Sequence, residues 1–178
     1  MIIILAGKIK SGKDTIANMI KEKTEKENKK AIIIQFSSYI KEYAKKILDW
    51  DGREETKPRK FLQDLGQDVR ENINKLFFIN RVIDDIKVYS KYVDTIIISD
   101  TRLPDEIDYI KKSYPSSIAI NVIRNDNGLT LPNSEKEHYT EIALNDYKNY
   151  DFIIDNNGSL EDLDKCIDNL LENIKGKE

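Results

Sequence analysis

The chain has little of several residue types on which whole classes of protein depend. Its 178 residues include one cysteine, Cys166, and one histidine, His138. A single cysteine excludes an intrachain disulfide framework and favours a reducing compartment, and a lone histidine without partner cysteines argues against a zinc site. No apolar run approaches the length of about 20 residues that a membrane-spanning helix needs, and no secretory leader pattern is visible. We therefore expect a cytoplasmic protein.

Neither sign of charge is in large excess. The 29 basic and 32 acidic residues give a net charge of -3 at pH 7. A strongly basic surface, of the kind that coats nucleic acid or adheres to membranes, is not expected, and we predict neither partner. A small anionic ligand in a local basic pocket is compatible with this balance. The length fits a single domain over residues 1–178, and the oligomeric state stays open.

Short, isoleucine-rich apolar runs recur along the chain, and each has a longer amphipathic stretch beside it. Near-continuous apolar strands that alternate with helices are typical of a parallel sheet covered on both faces. The runs are Met1 to Ala6, Ala31 to Phe36, Thr95 to Ser99, Ser117 to Ile123 and Asp151 to Ile154. The pattern predicts a doubly wound α/β sandwich, whose ligands bind at the carboxyl ends of the strands.

Two segments between these runs are candidate moving parts. Residues 38–92 lie between the second and third runs and are mostly helical in pattern. Residues 125–140 follow the fourth run and include Gly128, Pro132 and several asparagines, which indicate a loop. This loop is either a lid that closes over substrate and excludes water or a plain surface loop.

A glycine-containing motif directly follows the first apolar run. It reads Gly7-Lys8-Ile9-Lys10-Ser11-Gly12-Lys13-Asp14-Thr15. Two glycines separated by four residues, with a lysine after the second, have the spacing of a phosphate-binding loop (P-loop), whose backbone N–H groups surround phosphate oxygens. The preceding strand and the following helix are the setting that this loop requires. We predict that these residues bind ATP, apart from Ile9, and that Lys13 is the main catalytic group.

Oxygen ligands for magnesium are predicted around the same loop. Asp14 stands where the usual motif has a serine or threonine that binds Mg²⁺, and Thr15 follows it. Asp100, at the end of the third run, is predicted to hold a water of the magnesium shell. Alternatively, Asp100 caps the next helix, whose first turn also contains Asp105 and Glu106. We expect Mg²⁺ as cofactor beside the bound nucleoside triphosphate.

A helix predicted to begin near Pro58 carries candidate acceptor contacts. Arg59, Gln63, Gln67 and Arg70 are spaced by four, four and three residues, which places them on one helical face. Two arginines suit an anionic group, and the amides between them suit a hydrogen-bonding head group. The alternative is a stripe that only faces solvent.

Further candidates follow the ends of other strands. Arg102 is predicted to anchor the phosphate of the acceptor, and Arg124 is predicted to approach the transferring phosphoryl group. Asn157 and Gly158, after the fifth run, are predicted to lie near the nucleotide base, although a tight turn explains them equally.

The start of the helix after the second run supplies two more candidates. Ser37 and Lys41 are predicted to contact the acceptor. Capping of the helix by Ser37 or Ser38 is at least as good an explanation of the serines.

These residues together resemble the nucleoside monophosphate kinases of the P-loop class, most closely the phage-type deoxynucleoside monophosphate kinases, which are related to animal phosphomevalonate kinases. The resemblance is carried by Ser11-Gly12-Lys13-Asp14-Thr15, Ser99-Asp100-Thr101-Arg102, the run from Arg59 through Leu62-Gln63 and Leu65-Gly66 to Arg70, and His138-Tyr139-Thr140-Glu141. The ending Ile154 to Leu160 is shared more widely, including with dephospho-coenzyme A kinases. Leu103 replaces an arginine of the phosphomevalonate kinases, which argues against that substrate.

The resemblance implies a P-loop NTPase three-layer sandwich with a five-stranded parallel sheet, a helical acceptor-binding region in residues 38–92 and a lid in residues 125–140. It implies ATP-dependent phosphorylation of a nucleoside or deoxynucleoside monophosphate to the diphosphate, with ATP as phosphoryl donor and small-molecule nucleotides as substrates. The alternatives are a P-loop kinase for phosphomevalonate or dephospho-coenzyme A, and a non-catalytic regulatory protein that binds nucleotide. The roles of His138 and Glu141 stay open.

Overall fold

A computed structural model describes residues 1–125 and 142–176 of the chain. Its strands are β1 Ile2–Ala6, β2 Ala31–Ile34, β3 Thr95–Thr101, β4 Ile118–Ile123 and β5 Phe152–Asp155. They form one five-stranded sheet in the order β2-β3-β1-β4-β5, and every pair of neighbours is parallel. The predicted parallel sheet is confirmed. The expected lid, apart from Asn125, lies outside the described residues, as do His138 and Glu141.

Helices connect the strands and cover both faces of the sheet. They are α1 Lys13–Lys26, α2 Ser37–Leu48, α3 Arg59–Asp68, α4 Phe77–Tyr89, α5 Pro104–Ser113 and α6 Leu160–Lys175, and a π-helical turn, Val69–Ile73, follows α3 directly. The segment 38–92 is therefore mostly helical, as its pattern predicted. Within the described ranges, no helix has the length and apolar character needed to cross a bilayer.

Two apolar cores lie on opposite faces of the sheet, because successive side chains of a strand point to opposite sides. Ile4 of β1 joins the core formed with α2, α4 and α5, whereas its neighbour Ile3 joins the core formed with α1 and α6. Both side chains are fully buried. Burial on both faces explains the continuous isoleucine runs. Cys166 of α6 is partly buried and packs against the second core.

The carboxyl ends of the strands bring distant parts of the sequence together at one edge. β1 is flanked by β3 and β4, and β2 lies beside β3. The loops after β1, β2 and β3 therefore begin next to one another, and the loop after β4 begins beside the first of them. In open parallel sheets this edge is where ligands bind.

Candidate active site

The loop between β1 and α1 surrounds the ammonium group of Lys13. Lys13 Nζ donates hydrogen bonds to the carbonyl oxygens of Gly7 and Lys8, at 2.8 and 2.7 Å, and to Ser11 Oγ at 3.4 Å. Lys13 is only 7% exposed, and these oxygens offset the cost of burying its charge. The first N–H groups of α1 also have no partner within the helix. The loop thus concentrates positive charge and N–H donors, as a phosphate site requires.

The two glycines of the motif are required by close contacts with residues from the second half of the chain. Gly7 and Gly12 have φ angles of 148° and 97°. A Cβ atom on Gly7 would lie 2.5 Å from the carbonyl oxygen of Val122 in β4, and one on Gly12 would lie 2.2 Å from Asn156 Nδ2. Only glycine tolerates this combination of conformation and proximity. The two glycines whose spacing predicts a phosphate loop are therefore also required by packing in this fold.

Asn156 supports the P-loop from the opposite end of the chain. Its Nδ2 donates to the carbonyl oxygen of Ser11 at 2.9 Å, and the residue is 9% exposed. Sequence reasoning missed Asn156 and selected its neighbours instead. Asn157 Oδ1 accepts from the backbone N–H of Asn125 at 2.7 Å, and Gly158 packs beside Asp162. Contacts of Asn157 and Gly158 with ATP stay a prediction.

Asp14 belongs to a polar network that joins the P-loop helix to α2. Gln35 Nε2 donates to Asp14 Oδ1 at 3.1 Å and to Ser99 Oγ at 2.9 Å. Ser99 Oγ in turn donates to Asp14 Oδ1 at 3.1 Å, and Lys41 Nζ donates to Gln35 Oε1 at 3.3 Å. Gln35 therefore links the acid of the P-loop to a predicted acceptor contact. Neither Gln35 nor Ser99 was predicted to be a site residue, because neither belongs to a spacing pattern.

The residues at the start of α1 fit a magnesium ion that is held partly by other ligands. The Asp14 carboxylate and the Thr15 hydroxyl are exposed there, and both are oxygen donors of the kind that Mg²⁺ prefers. The described residues contain no cluster of three or more His, Cys, Asp or Glu side chains arranged for a metal. Magnesium commonly keeps several waters and binds substrate phosphates, so one or two protein oxygens suffice.

Asp100 caps α2, which neither sequence interpretation anticipated. Its two carboxylate oxygens accept the backbone N–H groups of Phe36 and Ser37, at 2.8 and 2.9 Å. The alternative in which Asp100 caps the helix after its own strand is therefore wrong, and so is capping of α2 by Ser37 or Ser38. The reason is that β2 lies beside β3, which brings the start of α2 to the end of β3. The role of Asp100 toward magnesium stays a prediction.

A cleft of about 270 Å³ extends from the P-loop to α3. Ile9 and Asp14 line its end at the P-loop. Its basic lining residues are Lys41, Lys57, Arg59, Arg70 and Arg102, and its acidic ones are Asp14, Asp100 and Glu106. Five basic against three acidic side chains favour an anionic ligand.

Six of the seven predicted acceptor contacts line this cleft, namely Ser37, Lys41, Arg59, Gln63, Arg70 and Arg102. The seventh, Gln67, is exposed, lies outside the lining and donates to Glu71 Oε1 at 2.8 Å. Residues in an α-helix advance by about 100° each, so Gln67 is rotated by about 80° from Arg59. Gly66 lines the cleft in its place. The prediction that Arg59, Gln63, Gln67 and Arg70 share one helical face is therefore wrong for Gln67.

Two predicted arginines lie near solvent. Arg59 Nη2 is 2.5 Å from Glu54 Oε1, and the same carboxylate pairs with Lys57 at 2.9 Å. Arg124, directly after β4, is exposed and is not among the described residues that line the cleft. Contacts of either guanidinium with a ligand stay predictions.

Glu106 is a buried acid of the cleft wall that the sequence marked only as a first-turn residue of α5. It is 4% exposed, and its Oε2 accepts from the backbone N–H groups of Arg102 and Leu103, at 2.8 and 3.1 Å. Its Oε1 lies 3.9 Å from Arg70 Nη2. Burial raises the pKa of Glu106 to about 7, the negative charge of Asp100 acts in the same direction, and the N–H donors and Arg70 oppose them.

The raised pKa of Glu106 predicts a pH-dependent stability. An acid whose pKa is higher in the folded than in the unfolded protein binds its proton more tightly when folded, so protonation stabilises the fold. The contribution of Glu106 to the free energy of unfolding should fall as the pH rises from its ordinary pKa of 4.5 to about 7. Urea unfolding across this range should show the fall in wild type and in an Asp105→Asn control. Glu106→Gln should remove it, and an identical pH profile for Glu106→Gln and wild type would contradict the prediction.

Comparison with known proteins agrees with this geometry. A family model described as deoxynucleotide monophosphate kinase matches residues 26–167. The P-loop precedes these residues and is therefore separate evidence. The fold is similar to that of an APS kinase from Mycobacterium tuberculosis, with a TM-score of 0.56 and 11% identity, covering 96% of each chain.

Two other kinases have the same fold at comparable identity. A sugar kinase from Janibacter sp. has a TM-score of 0.59 and 13% identity over 96% of this chain and 94% of that chain. Shikimate kinase from Aquifex aeolicus has a TM-score of 0.52 and 14% identity over 97% of both. At such identities the likeness establishes the three-layer α/β fold, and the family model, which spans most of the sequence, establishes the kinase class. The chain is a phosphotransferase and belongs to the deoxynucleotide monophosphate kinase family.

Proposed function

We propose that the protein transfers the γ-phosphoryl group of ATP to a deoxynucleoside monophosphate, which gives the diphosphate. One observation carries the proposal: one cleft is lined both by Asp14 of the P-loop and by Arg70 and Arg102. An anionic acceptor held by these arginines would therefore face a triphosphate held by the P-loop. Positioning and charge neutralisation supply most of the catalysis in phosphoryl transfer, and this arrangement provides both.

On the donor side, Lys13 and the backbone of the P-loop would bind the phosphates of ATP. Lys13 Nζ would exchange its bonds to the Gly7 and Lys8 carbonyls for bonds to phosphate oxygens. Asp14 and Thr15 would hold magnesium directly or through water, and the bound ion supplies further neutralisation of phosphate charge. Asn156 would keep the loop in shape through its bond to Ser11.

On the acceptor side, Arg70 and Arg102 would bind the monophosphate, since a guanidinium forms paired hydrogen bonds with phosphate oxygens. Arg70 is already oriented, because its Nη1 donates to the carbonyl of Gly66 at 2.9 Å and its guanidinium lies 5.3 Å from the centre of the Phe78 ring. The Gln63 amide offers both a donor and an acceptor to a nucleotide base. In this proposal residues 38–92 form the acceptor-binding region, and Arg124 approaches the transferring phosphoryl group.

A coupled assay of ADP release tests the proposal. The panel contains each deoxynucleoside and ribonucleoside monophosphate, phosphomevalonate and dephospho-coenzyme A. We expect turnover with at least one deoxynucleoside monophosphate. Turnover with phosphomevalonate or dephospho-coenzyme A alone would assign the cleft to another acceptor. Tight ATP binding without turnover of any acceptor would instead indicate a regulatory protein.

Two glutamines of α3 provide a matched pair for the acceptor site. Gln63 lines the cleft, whereas Gln67 lies outside it and bonds Glu71. Gln63→Ala should raise the KM for the acceptor by roughly five- to tenfold, as expected for the loss of one hydrogen bond of about 1 kcal/mol. Gln67→Ala should leave this KM within about twofold of wild type. Equal effects of the two substitutions would contradict the placement of the acceptor against Gln63.

A further inference from the structure

The Glu106 carboxylate is more deeply buried than a helix start requires. An acid at the third position of a helix commonly accepts the N–H of the capping residue, and an exposed glutamate does this equally well. Glu106 is 4% exposed, and its Oε2 also accepts from the residue before the cap, Arg102. Burying a charge is costly unless it is compensated, so a buried glutamate needs a reason beyond capping.

The contacts of Glu106 join two sides of the cleft. Through the Arg102 N–H it fixes the backbone from which the Arg102 side chain leaves the end of β3. Through Oε1, 3.9 Å from Arg70 Nη2, it faces a guanidinium that comes from the π-helical turn after α3. Arg70 and Arg102 both line the cleft. Glu106 thus contacts two of the three cleft arginines, Arg70 by its charge and Arg102 through the backbone.

The distance between the Glu106 carboxylate and the Arg70 guanidinium allows electrostatic attraction without a hydrogen bond. At 3.9 Å the two groups attract each other, but this distance is longer than a hydrogen bond. Arg70 Nη2 is therefore not committed to a hydrogen bond with Glu106, while Nη1 is used by the Gly66 carbonyl. Arg70 and Arg102, which line the same small cleft, also repel each other, and the Glu106 carboxylate beside them reduces this repulsion.

Building on the proposed function, we propose that Glu106 is a positioning residue that holds Arg70 and Arg102 in the orientation in which they bind the phosphate of the acceptor. It does not touch the reacting atoms. It acts on affinity for the acceptor and leaves the donor site, formed by the P-loop, unaffected.

Glu106→Gln, compared with wild type at a pH above 7 where the Glu106 carboxylate is charged, is the sharpest test, because the amide keeps an oxygen for the two backbone N–H groups and removes only the charge. We expect the KM for the acceptor to rise about tenfold, with kcat and the KM for ATP within about twofold of wild type. Asp105→Asn is the matched control, since this neighbouring carboxylate pairs with Lys75 at 2.6 Å and does not line the cleft. It should leave all three constants unchanged.

A double-mutant cycle separates positioning from a general structural effect. If Glu106 acts through Arg70, the Glu106→Gln substitution should change the acceptor KM by less than about twofold when Arg70 is already alanine. Additive effects in the double variant would overturn the assignment to Arg70. An unchanged acceptor KM in Glu106→Gln, or an equal rise in the KM values for ATP and acceptor, would overturn the proposal as a whole.

Direct binding distinguishes failure of this proposal from failure of the proposed function. Calorimetric titration with a deoxynucleoside monophosphate, below the melting temperature of each variant, should show about tenfold weaker binding to Glu106→Gln than to wild type. Weaker binding together with absence of turnover in wild type would overturn the proposed function and support the positioning role. Turnover in wild type with equal binding by both proteins would overturn only the positioning role, and absence of binding to wild type would overturn both.

Discussion

Lys13→Ala should lower kcat for ADP formation by at least about 10²- to 10³-fold, the loss expected when one preorganised donor to a developing negative charge is removed. The Lys13 ammonium group lies inside the P-loop, where it donates hydrogen bonds to the Gly7 and Lys8 carbonyl oxygens. The measurement is steady-state kinetics at saturating ATP and acceptor.

Lys26→Ala provides the control for Lys13→Ala. Lys26 is an exposed lysine in the last turn of α1, at the opposite end of this helix from the P-loop. Its replacement should leave kcat and the acceptor KM unchanged. Binding of the acceptor by Lys13→Ala should fall much less than turnover does. Unchanged turnover in Lys13→Ala would remove the P-loop from catalysis.

Gly7→Ala should destabilise the protein by roughly 2–4 kcal/mol, the range for a strained backbone combined with overpacking. At its φ of 148° a side chain is rarely tolerated, and the new Cβ would lie 2.5 Å from the Val122 carbonyl oxygen, which is part of the sheet. The backbone must shift to relieve this contact, and the P-loop shifts with it. We expect a lower midpoint in urea unfolding and loss of ATP binding in the residual folded protein.

Gly176→Ala is the matched control for Gly7→Ala. Gly176 follows α6 at a φ of -72°, and a Cβ there would be no closer than 3.6 Å to another heavy atom. Its replacement should leave stability unchanged or raise it slightly, because alanine restricts the unfolded chain more than glycine does. If Gly7→Ala unfolded at the same urea concentration as Gly176→Ala, the contact with β4 would not be the reason for a glycine at position 7.

The sheet and the P-loop were predictable because both leave periodic or fixed-distance signals. Runs such as Thr95 to Ser99 are apolar on both faces, which only a sheet covered on two sides requires. The P-loop glycines occur at a fixed spacing, and each is packed against a distant residue, Gly7 against Val122 of β4 and Gly12 against Asn156 directly after β5. For the sheet and the P-loop, the local sequence pattern and the tertiary contacts favour the same structure.

The polar contacts of the cleft were less predictable because they depend on which strands are neighbours. Asp100 caps α2 only because β2 lies beside β3, and no local pattern near Asp100 indicates this. Asn156 and Glu106 are single polar residues whose partners are fixed by the fold. Gln67 was misplaced for a different reason, since a stripe spaced by four residues drifts around a helix.

The support of the P-loop by Asn156 has a consequence for the order in which the protein becomes functional during synthesis. Ser11 and Asn156 are separated by 145 positions, and Gly7 packs against Val122 of the strand beside β5. A nascent chain that has emerged only as far as β3 contains the whole motif but neither Val122 nor Asn156, the two later residues that pack against it. Competence to bind nucleotide should therefore arise late in translation, after β5 has joined the sheet.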